Sequence, residues 1–274
     1  LIHTFHGHQF QGYFTGSLSR AFVAIERKLA RFTDLIITVT PTIRDQLIND
    51  YQIADASKIR VVPLGFDFSW TDELAASRGW LRGLVKADDS TILLGTVCRL
   101  TEIKNLGLLL RSFARLLQDN HSKLHLVIVG DGELRSSLGA LAAQLGIPQH
   151  VTFAGIIRDR ARIFADLDVT CLTSRNEGSP LCLIESIAAG VPVVATRVGG
   201  VADVVTSTLD GELVRPDDEQ AFAAALGRAT ATRRRLSTDR ICALKAHFSI
   251  SQLVRNMEGI YAELLERRAL SAAH

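Results

Sequence analysis

Two carboxylates stand on either side of a short turn-forming run. Glu177 and Glu185 flank Gly178-Ser179-Pro180-Leu181, directly after an apolar run that ends at Thr173. A carboxylate accepts two hydroxyl hydrogen bonds, so such a pair suits a polyhydroxylated ligand. Gly178 permits close backbone approach. Ser179 and Pro180 open a helix, and the free N–H groups of a first turn form a ready anion site. Glu185 lies six residues beyond Ser179, about 9 Å along a helix axis. The two carboxylates can therefore bracket a diphosphate, one facing a sugar and the other a ribose. Each also has a plain structural explanation, Glu177 as a helix-dipole partner and Glu185 as a solvated helix residue.

Other candidates follow other apolar runs. Arg99 and Lys104 come after the run ending at Cys98. Arg binds a diphosphate in bidentate fashion and Lys as a point charge; two surface cations are the simpler alternative. Gly130-Asp131-Gly132-Glu133 is a tight turn without the full dinucleotide glycine fingerprint, which argues against a nicotinamide or flavin enzyme. Ile157 and Arg158 lie where a loop could edge a base. His3, His6 and His8 are close in sequence, but His3 and His6 differ in strand parity and have no obvious acidic neighbour. A hydrogen-bonding His6 is preferred there to a metal site. Arg20, Arg27 and Arg31 share one helix face with Lys28 beside them, as a solvated face or a contact for anionic lipid.

These residues need strand ends to hold them. The 274 residues are 47% hydrophobic and 22% charged, as in a globular enzyme. The net charge of +2 lacks the basic excess of a nucleic-acid binder. No apolar run reaches the ~18 residues of a membrane span. The cysteines Cys98, Cys171, Cys182 and Cys242 form no C-x-x-C pair and read as reduced thiols of a cytoplasmic protein. Leu1–Phe5, Leu35–Val39 and Ile59–Leu64 read as strands. Between them lie helices at Ser19–Phe32, with Phe22, Ile25 and Leu29 on one face, and at Pro41–Asp50. A second series has strands at Ile92–Cys98, Leu124–Val129, Val151–Ala154, Val169–Thr173 and Val193–Ala195. Helices between them are expected at Leu106–Leu117, Leu134–Leu145, Arg160–Leu167 and Pro180–Ala189. The pattern predicts an α/β fold with parallel sheets. We expect a partial first Rossmann-like domain over residues 1–75, a linker over 76–90, and a second Rossmann-like domain over 91–250. A C-terminal helix over 251–274 would follow, packing back on the first domain. A chain opening mid-sheet at Leu1 is expected to be amino-terminally incomplete. Ligands of open parallel sheets bind beyond the strand carboxyl ends, so the chemistry is expected just after these strands.

The ordered set of motifs resembles one family. It comprises Cys98-Arg99-Leu-x-x-x-Lys104-Asn105, Val129-Gly-Asp-Gly-Glu133, Phe153-x-Gly155, Glu177 with Glu185, Ala189-Gly-Val-Pro-Val-Val-Ala-Thr196 and Gly199-Gly200. Together they resemble the retaining GT-B glycosyltransferases of family four, the group one transferases, over roughly Ile59 to Leu226. Tyr13 and the His3–Gly16 region look like the acceptor-domain segment of bacterial polysaccharide members. The resemblance implies Arg99 and Lys104 on the donor diphosphate, Glu177 on sugar hydroxyls and Glu185 on the ribose. It places backbone groups of Gly178, Ser179, Pro180 and Leu181 on the phosphates and sugar. His6 would approach the reacting sugar, and Ile157 and Arg158 would border the base. The departures are Cys98 where the family often has Gly, and Ser179-Pro180 in place of the commoner Phe-Gly, which bears on sugar choice. The expected ligands are a nucleoside diphosphate sugar, UDP-linked in preference to GDP-linked, and a saccharide or lipid-linked saccharide acceptor. No obligatory metal or cofactor is expected. The alternatives are an inactive nucleotide-sugar-binding module and a GT-B epimerase, with a dinucleotide oxidoreductase further off.

Overall fold

The computed structural model describes residues 1–7, 10, 16–119 and 123–272. His8 and Tyr13 lie outside the described residues. Two parallel sheets form. The first has order β1-β2-β3 and consists of β1 (Ile2–Phe5), β2 (Leu35–Thr38) and β3 (Ile59–Val61). Between them run α1 (Gly16–Phe32) and α2 (Pro41–Asp45). Thr40 caps α2 by accepting from the Ile43 N–H, and Pro41 sits in its first turn, where no N–H is needed. The helix expected over Pro41–Asp50 does not run on as one α-helix, because Gln46–Asp50 forms a π-helical turn. Leu47 within that turn is fully buried.

The apolar periodicity of α1 is present, but its face is turned outward. Val23 and Ala30 meet the core of the first sheet, while Phe22, Ile25 and Leu29 are exposed.

The second sheet has order β6-β5-β4-β7-β8-β9. Its strands are β4 (Ile92–Val97), β5 (Leu124–Val129), β6 (Val151–Gly155), β7 (Val169–Leu172), β8 (Val193–Thr196) and β9 (Gly211–Val214). The crossovers carry α5 (Leu106–Asp119), α6 (Arg135–Gln144), α7 (Arg160–Phe164), α8 (Leu181–Ala188) and α9 (Val201–Val204). Strands β7 and β8 are fully buried apolar and β-branched runs, and β5 is one apart from the partly buried His125, as in a parallel sheet covered on both faces. One face packs Leu94, Leu110, Phe113 and Phe222 together; another layer holds Leu183, Ile184, Ile187 and Leu244. The strand order reverses between β4 and β7, and that reversal opens the crevice of a doubly wound sheet.

Between the sheets, residues 69–85 fold onto the second one. They form a 3₁₀ turn (Ser69–Glu73), α3 (Leu74–Ser77) and α4 (Trp80–Val85). Leu81 is fully buried beside Leu93, Val127 and Phe164. The Asp166 carboxylate holds the start of α4, accepting from the N–H groups of Gly79 (2.8 Å), Leu81 (2.9 Å) and Arg82 (3.1 Å). The chain continues through α10 (Glu219–Thr232) and α11 (Thr238–His247) to α12 (Ile250–Ala272). Helix α12 returns to the first sheet, where Leu253, Met257, Ile260 and Leu264 pack on Ile2, Leu35, Ile37 and Val62. Among the described residues, no helix is long and apolar enough to cross a membrane.

Candidate functional site

The loops after β4 and β7 meet at the reversal of strand order, and they are stitched together. The Arg175 N–H donates to the Ile103 carbonyl (2.8 Å), and the Thr173 hydroxyl donates to the Lys104 carbonyl (3.0 Å). Asp217, just after β9, accepts from Asn105 Nδ2 (2.9 Å) and Arg175 Nη2 (3.1 Å), so three strand-end loops share one anchor. This stitching brings together side chains 73 residues apart in sequence. Lys104 Nζ lies 2.6 Å from Glu177 Oε1, and the side chains are 23% and 9% exposed. The Ser174 hydroxyl donates to the same oxygen at 2.5 Å. Burial works against the charge of Lys104, but the Glu177 carboxylate more than offsets it by charge and hydrogen bond, so the ammonium is held above its ordinary pKa.

The sequence had Lys104 serving one part of a ligand and Glu177 another. In the structure they form one ion pair. An ammonium has three donors, so the contact with Glu177 leaves N–H groups for an anion. Arg99 sits on the adjacent loop with its side chain exposed and makes no ion pair among the described residues. Its loop is fixed by the Leu100 N–H donating to the Asp131 carbonyl and the Leu134 N–H donating to the Leu100 carbonyl. The Gly130–Glu133 turn thus braces the arginine loop. Beneath it, burial pushes the Cys98 thiol up to about 11, which makes it an unreactive packing group.

The start of α8 differs slightly from the expectation. Ser179 and Pro180 precede the helix, and Pro180 is its N-cap with no side-chain cap. The first-turn N–H groups without a helical partner therefore belong to Leu181 and Cys182, since those of Leu183 and Ile184 donate to the Pro180 carbonyl. Ser179 Oγ is buried without a hydrogen-bond partner, an unusual cost for a hydroxyl beside a cleft. Gly178 is pressed between two loops. A Cβ on it would lie 2.2 Å from the His6 carbonyl oxygen, so the end of β1 closes directly on this turn. Gly199, at φ +45°, supports it from the other side, where a Cβ would lie 1.8 Å from the Glu177 carbonyl. A further bond across the two sheets runs from the Thr42 N–H to Asp203 Oδ2 (3.0 Å).

Glu185 is on α8, 14% exposed, with Oε1 2.8 Å from Arg160 Nε. Burial raises its pKa and Arg160 partly opposes that. Arg160 was not among the sequence candidates; it lies two positions beyond Arg158, and only its place at the first turn of α7 directs it to Glu185. Ile157 is partly buried and packs against the cluster that holds Phe164 and Leu167, whereas its neighbour Ile156 is 73% exposed. Arg158 is exposed nearby. The absence of an acidic neighbour for the histidines is corrected, since α1 carries Glu26 to 3.7 Å from His3 Nδ1. His6 is exposed at the end of β1. A cavity of about 600 Å³ lined by Arg78, Phe164, Gly190 and Arg235 lies at the opposite, C-terminal ends of α7 and α8, away from this cleft.

Comparison with known proteins bears on the family and the fold. Residues 91–231 match the family model described as Glycosyl transferases group 1, and residues 1–70 match that described as Glycosyltransferase Family 4. D-inositol 3-phosphate glycosyltransferase of Stackebrandtia nassauensis is 33% identical over 263 residues, covering 90% of this chain and 58% of its own length. The Vi polysaccharide biosynthesis protein VipC/TviE of Salmonella typhi is 36% identical over 141 residues, 52% of this chain and 24% of its own. The chain thus spans less than two thirds of these relatives. Among solved structures, Anabaena HepE in complex with UDP and glucose superposes with a TM-score of 0.80 at 20% identity, covering 96% of this chain and 71% of that one. Sucrose-phosphate synthase of Thermosynechococcus elongatus gives 0.83 at 22% identity, covering 97% and 68%. These similarities give a GT-B fold.

Proposed function

This chain belongs to the group 1 glycosyltransferases, and on that premise we propose that it moves a sugar from a nucleoside diphosphate sugar to an acceptor hydroxyl with retention at the anomeric carbon. The observation that carries the reading is the Lys104–Glu177 pair at the strand-order reversal, with the start of α8 beside it. In this reading Arg99, the free N–H groups of Lys104 and the first turn of α8 take the diphosphate. Glu177 takes sugar hydroxyls, Glu185 the ribose, and the loop at Ile157 and Arg158 edges the base. His6 faces the reacting sugar from the first sheet. The acceptor oxygen bonds to the anomeric carbon while the bond from that carbon to the diphosphate breaks. Its electron pair stays on the diphosphate, and the acceptor proton passes to a diphosphate oxygen. Charge grows on the diphosphate during this step, so cations aimed there stabilise the transition state more than the ground state.

UDP-bound neighbours support a UDP-sugar donor, and relatives named for polysaccharide synthesis support a saccharide or lipid-linked acceptor in envelope glycan assembly. Buried free thiols at Cys171 and Cys182 support a cytoplasmic site of action. The exposed face of α1 supports contact with an anionic membrane. Its Leu18, Phe22, Ile25, Leu29 and Phe32 are 39% to 72% exposed, beside exposed Arg20, Lys28 and Arg31. Sedimentation with phosphatidylglycerol vesicles should pellet the protein and Leu29→Glu should release it; equal pelleting of both removes this part.

The decisive assay follows products by NMR, with nucleotide sugars and a panel of saccharide acceptors. A new glycoside with the donor's anomeric configuration supports transfer. A new nucleotide sugar without acceptor would make the protein an epimerase. Binding without any turnover would make it a binding module.

A further inference from the structure

Glu177 is held by one oxygen only. Oε1 accepts from both Lys104 Nζ (2.6 Å) and the Ser174 hydroxyl (2.5 Å), whereas Oε2 has no partner among the described residues. It is also not sealed from solvent. Ser174 is itself fixed. It is fully buried, and its carbonyl accepts from the Thr196 hydroxyl at 2.6 Å, with Thr196 fully buried at the end of β8. A hydroxyl sealed in the interior between a strand end and an acid usually has a packing role alone. Here the geometry is more specific, because two donors on one oxygen fix the carboxylate's rotation and aim the other oxygen outward.

We propose that Ser174, held by Thr196, is a positioning residue that dedicates Oε1 of Glu177 to the protein and presents Oε2 to a hydroxyl of the donor sugar. The inference rests on the donor-site reading given above and adds the residue that sets its geometry. Without Ser174, Lys104 alone cannot fix the carboxylate, since a single contact to a flexible ammonium leaves the carboxylate free to rotate. The consequence is confined to the sugar. The diphosphate meets Arg99, Lys104 and the start of α8, none of which takes a hydrogen bond from Ser174.

The test is calorimetric titration of the 274-residue chain with UDP, GDP and their glucose, galactose, N-acetylglucosamine and mannose derivatives. In Ser174→Ala, the nucleotide sugar that wild type binds best should weaken about tenfold, the worth of one hydrogen bond to a charged group. Binding of the matching nucleoside diphosphate should stay within about twofold. Thr196→Val, which keeps the side-chain shape, should reproduce the pattern in smaller degree, and Ser174→Thr should restore sugar binding. Equal loss for nucleotide and nucleotide sugar, or no loss in either, overturns the positioning role. If Ser174→Ala does not fold, unchanged sugar selectivity in Thr196→Val overturns it. Failure of wild type to bind any of these ligands would sink the donor-site reading instead.

Discussion

Replacing Lys104 with Met removes one half of a nearly buried ion pair and leaves the other half in place. Breaking a fully buried pair costs about 3–5 kcal/mol. Two features reduce the figure here. Lys104 is 23% exposed, so some solvent screens the carboxylate already, and Ser174 continues to donate to Oε1. A loss of about 2 kcal/mol is therefore expected. At about 2–4 °C per kcal/mol for chains of this size, that is about 4–8 °C in Tm by scanning calorimetry. The double variant Lys104→Met, Glu177→Gln should recover more than half of the loss, because a neutral amide tolerates the dry site. The pH dependence gives a second handle. Lys104 has a raised pKa when folded, so the pair's stabilisation is complete below the unfolded value of about 10.4 and is lost as pH rises through the higher folded value. Wild type should lose stability in that alkaline window and Lys104→Met should not show this component. An unchanged Tm in the single variant, or no recovery in the double one, would refute the account of the pair.

Further outcomes follow from neighbouring groups. Glu185 has a raised pKa from burial, so its ionised form opposes folding as pH rises from the ordinary carboxylate range through the raised value. Glu185→Gln should therefore raise Tm at pH 7 in the ligand-free protein while weakening nucleotide binding; a lower Tm would show that Arg160 dominates. Ser179→Ala removes an unpartnered buried hydroxyl and should leave Tm unchanged or slightly higher, with any loss appearing only in ligand affinity. A clear drop in Tm would mean that Ser179 has a structural partner. Asp210 is fully buried and accepts from Arg240 Nε (2.5 Å), Arg240 Nη2 (2.9 Å) and the Thr206 and Ser207 N–H groups. Asp210→Asn should cost about 3 kcal/mol, read by urea unfolding, by leaving that guanidinium without its counter-charge.

The sequence made the second sheet readable because its strands are buried on both faces and appear as apolar runs bounded by Gly, Pro and charged residues. Gly190 and Pro192 marked the end of α8 to within two residues. Arg99, Lys104 and Glu177 stand out in the sequence because each follows closely on an apolar run, whereas Glu185 lies within α8. What could not be read was their pairing. Lys104 and Glu177 are joined by a stitch between loops from adjacent strands, and no periodicity carries that information. Arg160 was missed for the same reason, because its contact with Glu185 depends on how α7 meets α8. The apolar stripe of α1 was visible as a stripe, yet periodicity states only that a face exists, not which side of the helix the core takes. Nothing in the sequence singles out Ser174, because its bonds to Glu177 and Thr196 depend on how the ends of β7 and β8 meet.

The most direct test of the central claim is calorimetric titration of wild type, Arg99→Ala and Glu177→Ala with a nucleoside diphosphate and the corresponding nucleotide sugar. Arg99→Ala should weaken both ligands, because it removes a diphosphate contact. Glu177→Ala should keep the nucleoside diphosphate affinity and lose the increment that the sugar adds. Loss of nucleoside diphosphate binding in Glu177→Ala with the sugar increment intact, or equal behaviour of all three proteins, would contradict the assignment of this cleft.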